Sequence, residues 1–155
     1  GATVGSHALF AGGTPKDGSL VVDAYDASLT LTAAADLSSA QNSYAAAAVG
    51  GYALFAGDTA DADVYDASLT KTTVSILSAA RQPDAVTAGG YAFFAGGDES
   101  GTVDVCDASL TRTTLTTLSE ARNSMAAAAV GDYVLFAGGR NTESLYHDTV
   151  DVYTI

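Results

Sequence analysis

Tryptophan is absent, a single cysteine stands at Cys106, and only 6 residues are Lys or Arg against 18 Asp or Glu. One cysteine excludes a disulfide within the chain and a cysteine metal cluster. The shortage of basic residues leaves a formal net charge of −12 and a pI near 4.1. Phosphate recognition needs clustered Lys and Arg, so this balance argues against nucleic acid as a partner, and equally against anionic membrane surfaces. No apolar run approaches the ~18 residues of a membrane-crossing helix. Glutamate is scarce too: among the acids only Glu99, Glu120 and Glu143 are not Asp. Asp favours turns where Glu favours helices, which points to a loop-rich β protein. Charged residues make up 15% of the chain, against roughly 25% in an average domain. Hydrophobic residues make up 48%, enough for a packed core and against wholesale disorder. The 155 residues suit one domain or one repeat array. No signal peptide is recognisable and the chain begins Gly1-Ala2-Thr3 without Met, which predicts a processed or excised chain.

What is present is repetition. Ala-Leu-Phe-Ala-Gly-Gly at 8–13 recurs in variant form around Phe55, Phe94 and Phe136, with a period of roughly 40 residues. Asp-Ala-Ser-Leu-Thr occurs at 26–30, 66–70 and 107–111. A Val-Asp-Val-Tyr-like string appears at 22–25, 62–65, 103–106 and 150–153, and Leu-Ser-x-Ala-[Arg/Gln] at 37–41, 77–81 and 118–122. The cyclic order never changes. Each unit predicts four short strands: an Ala-rich strand (45–49, 126–130), a tight Gly turn, a Tyr-Ala-Leu-Phe-Ala strand (52–56), a variable loop, a third strand (102–106) and a Thr-rich fourth strand (112–118). The Ala runs have helix propensity, but glycine follows within two positions and a four-residue helix is not stable alone. Four strands on a period near 40 predict an all-β fold, a β-propeller of about four four-stranded blades with incomplete terminal blades. The whole chain, 1–155, forms one array with units at approximately 1–41, 42–81, 82–122 and 123–155.

The diglycine after an apolar strand (Gly12-Gly13, Gly96-Gly97, Gly138-Gly139; Gly57-Asp58 in the second unit), the Tyr at 25, 65 and 153 and the Arg at 81 and 122 resemble Kelch-repeat β-propellers, especially Kelch-like repeats of bacterial or phage surface proteins. Cys106 replaces the Tyr of the third unit and Gln41 the Arg of the first. Thr, Ala, Val and Leu stand where Kelch repeats carry a strand-four Trp, and the Trp-Asp pair of WD repeats is absent. The resemblance implies an extracellular or cell- or virion-surface setting and more blades than four. Three closures are open: a four-bladed ring with an incomplete blade, two chains building eight blades, or a piece of a longer array. Unpaired outer edges invite pairing with another chain.

Catalytic signatures are scarce. Ser68-Leu69-Thr70-Lys71 matches Ser-x-x-Lys, but the same turn reads Ser28-Leu-Thr-Leu and Ser109-Leu-Thr-Arg elsewhere, so it is a turn. There is no Gly-x-Ser-x-Gly, His-Glu-x-x-His, P-loop or dinucleotide fingerprint. His7 takes a strand-start Tyr position, His147 lies in the loop 140–148, and Cys106 reads as a small buried apolar residue. A copper–radical oxidase on a Kelch-type propeller uses a Tyr–Cys pair with His ligands, and two histidines in these places do not supply that site. Asp58, Asp61 and Asp63, and Asp98 with Glu99, read first as turn carboxylates and second as oxygen ligands for Ca²⁺; no other cofactor is expected. Asp23, Asp63, Asp104 and Asp151 share one strand-three position and need partners if buried, Arg81 and Arg122 or backbone amides being the candidates. Asp26, Asp66 and Asp107 are expected to accept backbone hydrogen bonds.

The second-to-third-strand loops vary most between units, and variable loops on a fixed scaffold carry binding. They place Lys16, Asp17, Asp58, Asp61, Asp98, Glu99, Arg140, Asn141, Glu143, Tyr146 and His147 on one face, a polar set suited to a glycan or a protein loop. The expectation is a non-enzymatic binding module; the alternative is a structural repeat whose open edges join chains, as a homodimer or within a longer array.

Overall fold

The computed structural model describes residues 1–12, 20–40, 44–97 and 99–155. Four antiparallel sheets follow one another along the chain. Sheet 1 comprises β1 (Ala2–Val4), β2 (His7–Ala11), β3 (Val22–Tyr25) and β4 (Leu31–Ala33). Sheet 2 comprises β5 (Ala45–Val49), β6 (Tyr52–Ala56), β7 (Asp61–Tyr65) and β8 (Lys71–Ser75), and sheet 3 comprises β9 (Asp84–Ala88), β10 (Tyr91–Ala95), β11 (Val103–Cys106) and β12 (Arg112–Thr114). Sheet 4 has three strands, β13 (Ala126–Val130), β14 (Tyr133–Ala137) and β15 (Val150–Thr154). Each sheet is a meander in sequence order, and sheets pack in that order through their first and second strands, β1 on β5 and β6, β5 on β9 and β10, β13 on β9. This is the arrangement of propeller blades.

The Ala runs are strands, as expected. On β5 the alanines are buried or half-buried, and their small side chains let this first strand lie close to β9 and β10. The hairpins turn at Gly50-Gly51 and Gly89-Gly90, all with positive φ, the conformation that two-residue hairpins require. Two boundaries differ from the sequence reading. The third strand of sheet 3 starts at Val103 instead of Thr102, and its fourth ends at Thr114 instead of Leu118. After the last ladder bond, from the Leu115 amide to the Val103 carbonyl at 2.8 Å, the chain turns so that the Leu118 amide reaches the Gly101 carbonyl at 2.9 Å. Burying Leu118 wins over lengthening an exposed edge strand.

The core lies between sheets, and faces alternate with strand period two. Phe55 and Tyr65 of sheet 2 pack with Leu9, Val22 and Ala24 of sheet 1, whereas Leu54 and Val64 pack with Phe94 and Cys106 of sheet 3. Phe136 and Tyr153 meet Phe93, Val103 and Val105. Sheets 2 and 4 show a Phe/Tyr face to the preceding blade, and sheet 3 shows Phe94 with Cys106 there; toward the following blade sheet 2 shows Leu54 and Val64, and sheet 3 shows Phe93 and Val105. At the ends these faces are uncovered: Phe10 is 55% and Val130 65% exposed, and Val150 and Val152 are exposed too. Among the described residues sheets 1 and 4 do not cover one another's faces.

Polar staples cross the same seams. The Ser38 amide donates to Asp63 Oδ2 at 2.7 Å, the Ser78 amide to Asp104 Oδ2 at 2.7 Å and the Ser119 amide to Asp151 Oδ1 at 3.0 Å. Arg81 adds an ion pair to Asp104 at 2.8 Å, both side chains fully buried, and Arg122 pairs with Asp151. Asp63 also takes the Ser38 hydroxyl at 2.5 Å and Lys71 at 3.7 Å, as Asp104 takes the Ser78 hydroxyl at 2.8 Å and Arg112 at 3.6 Å. The diglycines serve these connectors. A Cβ at Gly96 would lie 2.2 Å from the Arg122 carbonyl oxygen, and one at Gly97 would lie 2.0 Å from that of Gln82, so neither tolerates a side chain.

Candidate functional site

The variable loops emerge on one face together with the connectors that link successive blades. A polar cavity of about 150 Å³ opens there, lined by Gln82, Pro83, Asp84, Gly97, Asn123, Ser124 and Arg140. Asp84 begins β9 opposite Ala95, the register position that Ala45 and Ala126 hold in β5 and β13. A carboxylate thus replaces a methyl group on an inner strand. Its Oδ2 accepts the Met125 amide at 2.8 Å. Burial pushes the Asp84 pKa up, and that hydrogen bond offsets the shift only in part.

Arg140 faces the same cavity. Its backbone exchanges two hydrogen bonds with Asn123, at 2.9 and 3.0 Å, and its Nε donates to Asn123 Oδ1 at 3.3 Å. These contacts fix the stem of Arg140 while its exposed end stays in solvent. Ser124 holds a φ of 55°, a strained left-handed conformation for a non-glycine residue. Gln82 donates to Asp58 at the cavity's rim. The pocket thus offers a carboxylate, a guanidinium and amide groups. Such a set recognises a ligand by several directed hydrogen bonds.

The sequence-predicted residues distribute unevenly. Lys16, Asp17 and Asp98 lie outside the described residues. Arg140 lines the cavity, and Asp58 accepts a hydrogen bond from Gln82, which lines it. Asp61 lines a separate cavity of about 140 Å³ with Ser38, Tyr44 and Thr73. Glu99, Glu143 and Tyr146 are exposed. His147 folds back: its Nδ1 lies 2.5 Å from Glu120 Oε2, and its Nε2 is buried without a partner. Asn141 is committed to its own loop, where Oδ1 accepts the amides of Glu143 and Leu145, each at 3.0 Å. No group of three or more His, Cys, Asp or Glu side chains converges among the described residues. The burial of Cys106 pushes its thiol up to about 11.

Sequence reasoning missed Gln82, Asp84, Asn123 and Ser124. All four lie on or beside the blade connectors, which read as structural because Arg81 and Arg122 within them are repeated. The available signal was Asp84, a single acid breaking an otherwise apolar first-strand pattern.

No family model matches the chain, and no curated protein matches it. Among solved structures, one titled "Structure of YjhT" aligns over 99% of this chain with a TM-score of 0.75 and 11% sequence identity. The chain spans 63% of the length of that structure. The likeness establishes the propeller fold.

Proposed function

We propose that the protein is a non-enzymatic binding module of Kelch type that holds a polar ligand, a glycan or a protein loop, in the cavity between Asp84, Asn123 and Arg140. The observation that carries this reading is Asp84. A carboxylate placed on an inner strand and raised in pKa by burial opposes folding at neutral pH, and such unfavourable groups cluster where a ligand supplies the missing partner. The Kelch assignment is supported by the diglycines, whose close approach to the Gln82 and Arg122 carbonyls leaves no room for Cβ. The non-catalytic part is supported by the placement of the histidines, His147 paired with Glu120 and His7 at the start of β2.

Arrays of mono- and disaccharides and of short peptides, read by fluorescence, test the site. Arg140→Ala combined with Asn123→Ala is expected to lower capture at least tenfold, about 1.4 kcal/mol, with an unchanged circular dichroism spectrum. Capture indifferent to both substitutions would sink the assignment. Turnover of any arrayed compound would overturn the non-enzymatic reading.

A second reading rests on the uncovered Phe10 and Val130 faces. Each forgoes about 1.5–3 kcal/mol per large apolar side chain left in water. Under this reading, chains assemble head to tail into a larger ring. Light scattering should then give masses above the 15.5 kDa of one chain, restored to one chain by Phe10→Asp or Val130→Asp. A single-chain mass at all concentrations rejects it.

A further inference from the structure

We propose, resting on the Asp84–Arg140 site above, that the cavity takes one terminal ring of a neutral glycan and that Tyr146 is the platform on which the next ring stacks.

The backbone of the loop sets the geometry. Arg140 is bridged to Asn123 on one side and to Tyr146 on the other, both antiparallel. Asn123 and Arg140 exchange their own two hydrogen bonds. Around Arg140 and Tyr146 the bonds run between flanking residues instead. The Asn141 amide donates to the Leu145 carbonyl and the His147 amide to the Gly139 carbonyl, each at 3.1 Å. Such a non-hydrogen-bonded pair has its Cα atoms only about 4.5 Å apart, with both side chains on one face. Asn123, Arg140 and Tyr146 therefore project side by side from the same face of this small ladder. That face is the wall of the cavity, which Asn123 and Arg140 line. It looks back toward sheet 3, because Gly97, just past β10, lines the same cavity.

Tyr146 is 86% exposed, so its ring is not spent on the core. The loop nevertheless holds it in place. Asn141 Oδ1 ties down the amides of Glu143 and Leu145, and His147 is fastened to Glu120 of the connector. A rigid aromatic held out in water is preorganised and loses little entropy when a ligand covers it. The other second-to-third-strand loops, 12–21, 57–60 and 96–102, contain no aromatic residue.

Size and chemistry select the ligand. The cavity of about 150 Å³ is about half the ~300 Å³ at which drug-sized sites begin. It has room for one sugar ring, and a second must lie outside its mouth. Asp84, Asn123, Arg140 and Gln82 offer the donors and acceptors that ring hydroxyls need, and Pro83 is the one apolar side chain among the described lining residues. A buried aromatic anchor, on which protein partners depend, finds little apolar wall there. The second ring meets the electron-rich face of Tyr146 through its C–H groups. The net charge of −12 and the Asp84 carboxylate disfavour an anionic sugar.

The probes are the methyl glycosides of glucose, galactose and mannose and the di- and trisaccharides of each, titrated calorimetrically into the whole chain. At least one series is expected to bind. Its disaccharide should bind about fivefold tighter than its monosaccharide, the scale of one aromatic stacking contact, and its trisaccharide no tighter than the disaccharide. Tyr146→Ala should remove that gain and leave the monosaccharide affinity unchanged, while Tyr146→Phe should keep it. The exposed position allows both replacements without touching the core, which an unchanged circular dichroism spectrum checks. A gain that survives Tyr146→Ala, or no gain from the second ring, overturns the platform and leaves the cavity reading standing. Capture of a peptide that is lost in Arg140→Ala, with no neutral sugar bound, does the same. Absence of any capture defeats both.

Discussion

At the scale of single residues, the repeated Asp-Ala-Ser-Leu-Thr turn carries a cost that only its tertiary setting explains. Leu29, Leu69 and Leu110 have φ of 59°, 62° and 63°, a left-handed conformation that disfavours a Cβ by about 1–2 kcal/mol. The Asp side chain holds the turn together: Asp66 Oδ1 accepts the amides of Ser68 and Thr70, and Asp26 and Asp107 do the same. Leu69 and Leu110 pack against core clusters, whereas Leu29 is exposed. Leu29→Asn should therefore stabilise by about 0.5–1 kcal/mol, since Asn tolerates this conformation. Leu110→Asn should destabilise by losing its packing. Urea midpoints of the two variants check the contrast. The Asp role was legible because the string occurs three times. The same geometry at Asn141, with Ser144 at φ 63°, was not, because Asn-Thr-Glu-Ser-Leu matches it at no aligned position. Only the matching bonds, Asn141 N–H to the Leu145 carbonyl and Ser144 N–H to the Asn141 carbonyl, reveal the likeness.

At the scale of elements, the connectors do more than link blades. Arg81 donates to Asp104 and to the carbonyls of Phe94 and Gly96. Burial alone would raise the Asp104 pKa, but donors from Thr114, Ser78 and Arg81 outweigh it and hold the carboxyl below its ordinary value. A depressed folded-state pKa contributes stability above the unfolded value, and this is lost as pH falls through the folded value. Arg81→Ala leaves that carboxylate buried with a partner missing, and should cost about 3–5 kcal/mol at pH 7. The deficit should shrink in acid, as pH falls through the lowered folded-state value and Asp104 takes up its proton. Urea unfolding of both proteins at pH 7 and in acid measures this. The sequence offered both Arg81 with Arg122 and backbone amides as partners for these carboxylates. Which amides serve could not be read, because a backbone donor leaves no trace in side-chain identity.

At the scale of the whole molecule, the excess of acid acts on stability. With 18 acidic and 6 basic residues, self-repulsion opposes the compact state and falls as salt shortens the screening length from about 30 Å at 0.01 M to about 8 Å at 0.15 M. The melting temperature should rise by a few degrees over that range, while the buried Arg81–Asp104 pair is barely screened. A flat salt response would show that the charges are already spaced by the loops. The sequence by itself determined the all-β class, the four units, their strand order and the turns, because each depends on local pattern repeated at a fixed period. Tertiary structure alone decided which side chains of each sheet meet the next. It alone brought Asp84, Asn123 and Arg140 to one cavity. Those features depend on how one blade meets the next, and residues from two successive units become neighbours only when the seam between them closes.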